Sequence, residues 1–157
     1  VSVFAADAVA MRAVGSALAA ALDEFAADRP LLIGLTGELG AGKTTLVAGL
    51  LESLGFPGPV SSPTYTLIEP YRLAGRNFYH CDLYRLVDPT QIEDLGLRDL
   101  AVPGAVMLIE WPEKGGDRLG KLDMTLAIGY RGDGRSIDVT PGSPAGADLR
   151  DRFLDNS

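Results

Sequence analysis

Leu31-Leu32-Ile33-Gly34-Leu35-Thr36-Gly37-Glu38-Leu39-Gly40-Ala41-Gly42-Lys43-Thr44-Thr45 is the stretch that decides the fold. Its first six residues form a short apolar run of the kind a buried strand shows. From Gly37 to Thr44 the chain fits the phosphate-binding loop pattern in full, Gly-x-x-x-x-Gly-Lys-Thr. Glycines let the backbone turn so that successive N–H groups point inward at phosphate oxygens. A helix opening at Lys43 adds the positive end of its dipole. Lys43 supplies a mobile charge for terminal phosphates, and the Thr44 hydroxyl is a magnesium ligand in such loops. The expected ligands are therefore nucleotide phosphates and Mg2+. The expected binding residues are Gly37, Glu38, Leu39, Gly40, Ala41, Gly42, Lys43, Thr44 and Thr45.

Upstream of the loop, Met11, Val14, Leu18, Leu22 and Phe25 recur at three- and four-residue steps, which predicts an amphipathic helix from Asp7 to Ala27. The uncharged run Ala13–Leu22 is not read as a signal-peptide core, because only Arg12 is basic ahead of it and its apolar residues keep helical spacing. Downstream, Leu46, Val47, Leu50, Leu51 and Leu54 line one side of a second helix that stops at Gly55. Strands are predicted at Tyr65–Tyr71 and Phe78–Tyr84. Asp88-Pro89-Thr90-Gln91 reads as a capped start of a helix ending near Leu100. Ala105–Ile109 is a second buried-strand run. Leu122 to Tyr130 alternates as a half-buried strand, and Asp133-Gly134 is a hairpin turn signal before Ile137 and Val139. The last ten residues are read as a short helix or a fraying end.

The order of these elements predicts an α/β chain with a three-layer P-loop NTPase fold. A mixed, mainly parallel central sheet would be flanked by helices and carry antiparallel hairpins at its edges. The 157 residues are read as one domain, with an N-terminal helix region at 1–30, a core at 31–130, and a C-terminal hairpin strand and tail at 131–157.

A magnesium nucleotide site needs a carboxylate at the end of a neighbouring strand. Val106-Met107-Leu108-Ile109-Glu110 provides one: Glu110, after four apolar residues, falls at a strand's carboxyl end, where open α/β sheets bind ligands. Glu110 is the candidate magnesium ligand or water-orienting group, against a solvated strand-end charge. His80, Asp82 and Tyr84 alternate along a strand and should project from one face. Asp82 is a candidate to hold magnesium through water or to orient the attacking water. Its neighbour Arg85 is expected on the other face. Ser62 and Thr64 lie in a loop placed to cover the nucleotide, with a plain loop equally compatible. Trp111 is a partner-binding, base-stacking or core aromatic. Catalytic candidates are thus Lys43, Asp82 and Glu110, and metal candidates Thr44, Glu110 and Asp82.

Composition narrows the partners. The formal net charge is −7, which repels a nucleic-acid backbone. Any role in an RNA pathway is then expected to run through another protein. The single cysteine, Cys81, excludes an intrachain disulfide and is read as a core-facing strand residue. No run reaches membrane-spanning length, so a cytoplasmic protein without membrane association is expected.

Taken together, five blocks resemble the TsaE (YjeE) ATPase family of bacterial tRNA threonylcarbamoyladenosine biosynthesis. They are Leu35–Thr45, Ser62-Pro63-Thr64-Tyr65, Tyr79–Arg85, Glu93-Asp94-Leu95-Gly96 and Ile109–Glu113, within a resemblance running from Ala8 to Tyr130. The resemblance implies an ATPase that does not itself modify RNA. It would act with the TsaB and TsaD proteins, which install threonylcarbamoyl on adenosine 37 of tRNAs reading codons beginning with A, and would meet tRNA only indirectly. By position, Thr44 and Glu110 match the family's magnesium ligands, and Asp82 matches its motif aspartate near the γ-phosphate. Two positions depart from the pattern. Met11, a candidate nucleotide-binding residue by position, stands where a threonine near the adenine is common, and Glu38 stands where aspartate is commoner.

Two other classes share the loop. A small P-loop kinase of a metabolite needs an arginine-dense lid, whereas Arg72, Arg76, Arg85 and Arg98 are scattered. A GTP-driven switch would use the Asp-x-x-Gly match at Asp117–Gly120, but the chain lacks an Asn-Lys-x-Asp guanine-reading motif, so ATP is favoured.

Overall fold

The run at 31–36 becomes a strand near the middle of a seven-stranded sheet. The computed structural model describes residues 1–157 except 24, 26 and 27. The elements are β1 (Ser2–Ala5), α1 (Ala8–Asp23), β2 (Leu31–Thr36), α2 (Lys43–Ser53), β3 (Ile68–Leu73), β4 (Arg76–Asp82), α3 (Gln91–Asp94), α4 (Leu97–Leu100), β5 (Val106–Glu110), a 3-10 helix (Pro112–Leu119), β6 (Met124–Arg131), β7 (Gly134–Pro141) and α5 (Pro144–Asn156). Strand order is β1-β7-β6-β2-β5-β4-β3. The neighbours β6, β2, β5 and β4 run parallel. The pairs β1–β7, β6–β7 and β3–β4 are antiparallel and lie at the edges. The sheet is therefore mixed with edge hairpins as expected, but parallel and antiparallel pairs are equal in number.

Side-chain alternation builds two cores, one on each face of the sheet. Leu31, Ile33 and Leu35 of β2, Val106 and Leu108 of β5, and Phe78 of β4 pack with α1, α2 and α5. Met107, Ile109 and Cys81 face the other way, against Ile92, Leu97 and Leu119 of the shorter helices. Because the strand period is two, His80 and Asp82 continue the face of Phe78, and Glu110 continues that of Leu108. Polar residues at the ends of β4 and β5 are thereby aimed toward the side that carries α2.

Helix α2 sits close to α1 because both crossing points are glycines. A Cβ on Gly15 would lie 2.7 Å from the Leu50 amide nitrogen, and one on Gly49 would lie 2.6 Å from the Arg12 Cα. That approach fixes where the N-terminus of α2, and so the phosphate loop, stands relative to the sheet.

Several boundaries differ from expectation. The N-terminal region contains strand β1, paired with β7. Four residues with one buried side chain are too few to show a period. The expected end of α1 at Ala27 lies outside the described residues. β3 begins at Ile68 because Leu67 takes φ 65° and ends the preceding turn. β4 ends at Asp82, so Tyr84 and Arg85 lie beyond it. The single helix expected to end near Leu100 is two short ones, divided where Gly96 takes φ 70°. The hairpin turn is Gly132-Asp133, one residue earlier than its signal, with Gly132 at φ 60°. The tail is a 13-residue helix, capped by the Ser143 hydroxyl accepting from the Gly146 amide at 3.0 Å.

Candidate nucleotide site

The loop from Gly37 to Gly42 leaves β2 and enters α2 through backbone that side chains resist. Gly37 stands at φ 144° and Gly42 at φ 114°. A Cβ on Gly37 would also press on the Ile128 carbonyl oxygen at 2.5 Å. No side chain caps α2 at Gly42, so the amides of its first turn are not taken up by a capping group. Gly42, Lys43, Thr44 and Thr45 line a cavity of about 380 Å3 that also reaches Ser62, Asp82 and Glu110.

Lys43 is buried and folds back over its own loop, donating from Nζ to the carbonyls of Gly37 at 2.6 Å and Glu38 at 2.8 Å. The ammonium lies 4.5 Å from the Trp111 ring centroid. Burial pushes its pKa below the ordinary lysine value, while Glu110, Asp82 and Glu113 pull it back up. The charge is thus held in place by the loop and by a ring of carboxylates.

Strand register brings the acidic groups together. Glu110 pairs with Leu35 on one side and Asp82 on the other. Both carboxylates therefore stand at the carboxyl ends of adjacent parallel strands, beside the loop that follows β2. The backbone ties this edge closed: the Trp111 amide donates to Leu35 at 3.2 Å, and the Leu83 amide to Glu110 at 3.1 Å. Glu110 accepts from Thr44 Oγ1 at 2.9 and 3.1 Å, and its Oε2 lies 2.5 Å from His80 Nε2. Asp82 accepts from the Ser62 hydroxyl, and from the Tyr84 amide at 3.0 Å. The loop carrying Ser62 is itself tied down, since the Asp82 amide donates to the Leu67 carbonyl at 2.9 Å.

Lys43, Thr44, Asp82 and Glu110, singled out from spacing, thus share one cavity, with Ser62 and Thr64 on its wall. Arg85 also lines that cavity, contrary to expectation, because strand alternation stops at Asp82 and the chain turns. Trp111 is half-buried and stands at φ 57°, with its ring 5.0 Å from that of Tyr84. It forms a side wall of the cavity. Met11 is buried against Gly42 and lines a neighbouring cavity of about 330 Å3 with Asp7, Thr45 and Arg135. Cys81 is fully buried in the opposite core, as expected. Asp117 and Gly120 line a separate cavity with Ile92 and Leu97 and do not reach the phosphate loop.

Two supports of the loop had no sequence signal. Arg135 Nε donates to the Ala41 carbonyl at 3.0 Å, and Tyr130 reaches toward the Leu39 carbonyl from the same hairpin. These residues are more than ninety positions from the loop, and only the sheet order brings them there.

The donor chemistry suits magnesium. Thr44, Glu110 and Asp82 present oxygen atoms to one cavity, which is what a small hard cation takes. Among the described residues no cluster of three or more His, Cys, Asp or Glu forms a self-sufficient metal cage. Magnesium is commonly held by one or two carboxylates together with substrate phosphates.

A family model described as threonylcarbamoyl adenosine biosynthesis protein TsaE matches residues 5–137. This chain belongs to the TsaE family. The TsaE protein of Haemophilus influenzae, named for tRNA threonylcarbamoyladenosine biosynthesis, is 40% identical over 147 residues, which is 94% of this chain and 93% of the relative. The Bacillus subtilis TsaE protein is 38% identical over 102 residues, covering 65% of this chain and 63% of its own length. A crystal structure of Bacillus subtilis YdiB superposes with a TM-score of 0.76 at 25% identity, covering 99% of this chain and 94% of that one. The TsaE match runs from the last residue of β1 to the middle of β7, so the loop, both carboxylates, Tyr130 and Arg135 fall within it.

Proposed function

We propose that this chain is the ATP-binding and ATP-hydrolysing member of the machinery that attaches threonylcarbamoyl to adenosine 37 of tRNAs reading codons beginning with A, acting with TsaB and TsaD. The observation that carries the ATPase reading is the meeting of Thr44 and Glu110 at 2.9 Å beside the Lys43 loop. A mixed sheet with the glycine loop between its central strand and a helix supports the P-loop NTPase reading. The pathway reading rests on TsaE membership.

In this reading the loop amides and Lys43 hold the β- and γ-phosphates. Lys43 would exchange the carbonyls of Gly37 and Glu38 for phosphate oxygens. Thr44 and Glu110 would hold Mg2+, with Asp82 holding it through water or orienting the attacking water. A magnesium ion held by these side chains would supply positive charge against the phosphates. Trp111 and Tyr84 wall the cavity, and the Trp111 ring faces the Lys43 ammonium. Acidic charge argues that the protein meets tRNA through its partners rather than directly. No helix among the described residues is long and apolar enough to cross a membrane.

The metabolite-kinase alternative finds less support. Arg76 is bound to the carbonyls of Leu22 and Gly104, and Arg98 lines a different cavity, leaving Arg85 as the one of the four candidate arginines on the phosphate cavity.

Phosphate release from MgATP, measured alone and with TsaB and TsaD, tests the proposal. Slow release that changes on adding both partners is expected. No release in the full mixture, or ATP-dependent phosphorylation of a metabolite by the chain alone, would overturn it.

A further inference from the structure

We infer that His80 is a positioning residue that holds Glu110 in its metal-binding orientation; the inference rests on the nucleotide reading above. The imidazole is fully buried, and Glu110 is 3% exposed. Their contact, His80 Nε2 to Glu110 Oε2 at 2.5 Å, joins β4 to β5 one step diagonally across the register in which His80 pairs with Leu108. The other ring nitrogen, Nδ1, is buried and has no hydrogen-bond partner among the described residues. A ring proton therefore finds an acceptor only at Nε2, and His80 donates to the carboxylate.

This geometry divides the work on Glu110. His80 holds Oε2 from the interior of the sheet, and Thr44 approaches both oxygens from the cavity side. A carboxylate gripped from behind keeps its rotamer when the hydroxyl in front turns to a cation. Hydrogen-bond partners of metal ligands act in this way, orienting the ligand and tuning its affinity. A histidine that only filled space would be replaceable by an apolar side chain of similar size, and the unsatisfied Nδ1 would be relieved by the exchange. The bond to Glu110 is the one hydrogen bond that this imidazole makes among the described residues.

The test uses ADP as the probe, with calorimetry in EDTA and then a Mg2+ titration of the protein–ADP complex. His80→Leu and His80→Asn remove the donor or withdraw it from reach. Both are expected to weaken Mg2+ binding by about 10- to 100-fold, while ADP affinity in EDTA stays within about threefold. In His80→Gln the terminal amide nitrogen falls near the place of Nε2, and most of the Mg2+ affinity should return. If His80→Leu fails to fold, the contrast between Gln and Asn decides. Unchanged Mg2+ affinity in Leu and Asn overturns the inference and leaves the nucleotide reading intact. Equal losses of ADP and Mg2+ binding in all three variants also overturn it, since that marks a structural role. A wild-type complex that takes up no Mg2+ overturns the underlying reading and the inference with it.

Discussion

The hydroxyl of Thr44 donates to both carboxylate oxygens of Glu110, at 3.1 and 2.9 Å, joining the start of α2 to the end of β5. A hydroxyl and a carboxylate 66 positions apart thus meet at the mouth of the glycine loop. Lys43, one residue away, points instead into the loop carbonyls. Under the proposed function, cation and anion recognition would be divided between adjacent side chains.

That division predicts different failures. Lys43→Ala should weaken ADP binding by about 100-fold or more, the worth of a charged contact in a phosphate cradle. Glu110→Ala and Asp82→Ala should leave metal-free ADP affinity within about fivefold and lower turnover by about 100-fold or more. Calorimetry beside phosphate-release rates checks this, and equal loss of binding in all three would contradict it.

The depressed pKa of Lys43 gives a pH dependence. Burial removes protons from the folded state at pH values where an unfolded lysine, near 10.5, is still charged. In that window the unfolded chain binds more protons, so this group's contribution to stability rises with pH while the cation for phosphate is lost. ADP affinity should therefore fall with rising pH before 10.5 is reached, and the fall should be missing in Lys43→Ala. Binding measured from pH 7 to 10.5 checks it.

Cys81 should be silent to thiol reagents in the folded protein. Burial pushes its thiol up to about 12 from an ordinary value of 9.0, with Asp82 adding to the rise. Between those two values the unfolded chain loses a proton that the folded chain keeps. Stability should then fall as pH rises, by about 1.4 kcal/mol per unit from this group. Labelling by a chromogenic disulfide should track urea unfolding, and fast labelling in native buffer would refute the prediction.

Gly49→Ala should destabilise the fold by about 2 kcal/mol or more, although alanine favours helices. The added Cβ meets backbone of Arg12 at 2.6 Å, which cannot swing aside as a side chain can. The same substitution at Gly129, where a Cβ meets nothing within 4 Å, should cost much less. Urea midpoints of the two variants provide the comparison.

Asp123 is a structural counterpart to the site carboxylates. It is 1% exposed and accepts from Arg29 at 2.5 Å, the Leu32 amide at 2.9 Å and Ser143 Oγ at 2.7 Å. It thereby fastens β2, β6 and the cap of α5. Asp123→Ala should cost about 2–3 kcal/mol, less than a wholly buried pair because Arg29 is half-exposed. Chemical denaturation should show this with ADP affinity per folded molecule unchanged.

Residues 31–45 told their structure in advance because both signals are local. An apolar run and a glycine pattern each act through neighbours a few positions away. The Leu122–Tyr130 alternation was legible for the same reason. Strand β1 was not, since four residues show no period and owe their conformation to the exposed edge of β7. Arg85 lines the cavity instead of the opposite face because strand pairing ends at Asp82, three residues before it.

By itself the sequence determined the glycine loop between β2 and α2, the main strands and helices that follow it, and the carboxylate, Glu110, that ends an apolar strand. Tertiary structure alone decided that Glu110 stands between Asp82 and Leu35, that His80 grips it from behind, and that Arg135 braces Ala41. The reason is range. Propensity and periodicity act over a turn or a strand, whereas contacts across 28 to 94 positions follow from sheet order and register, which are set by how the two cores pack as wholes.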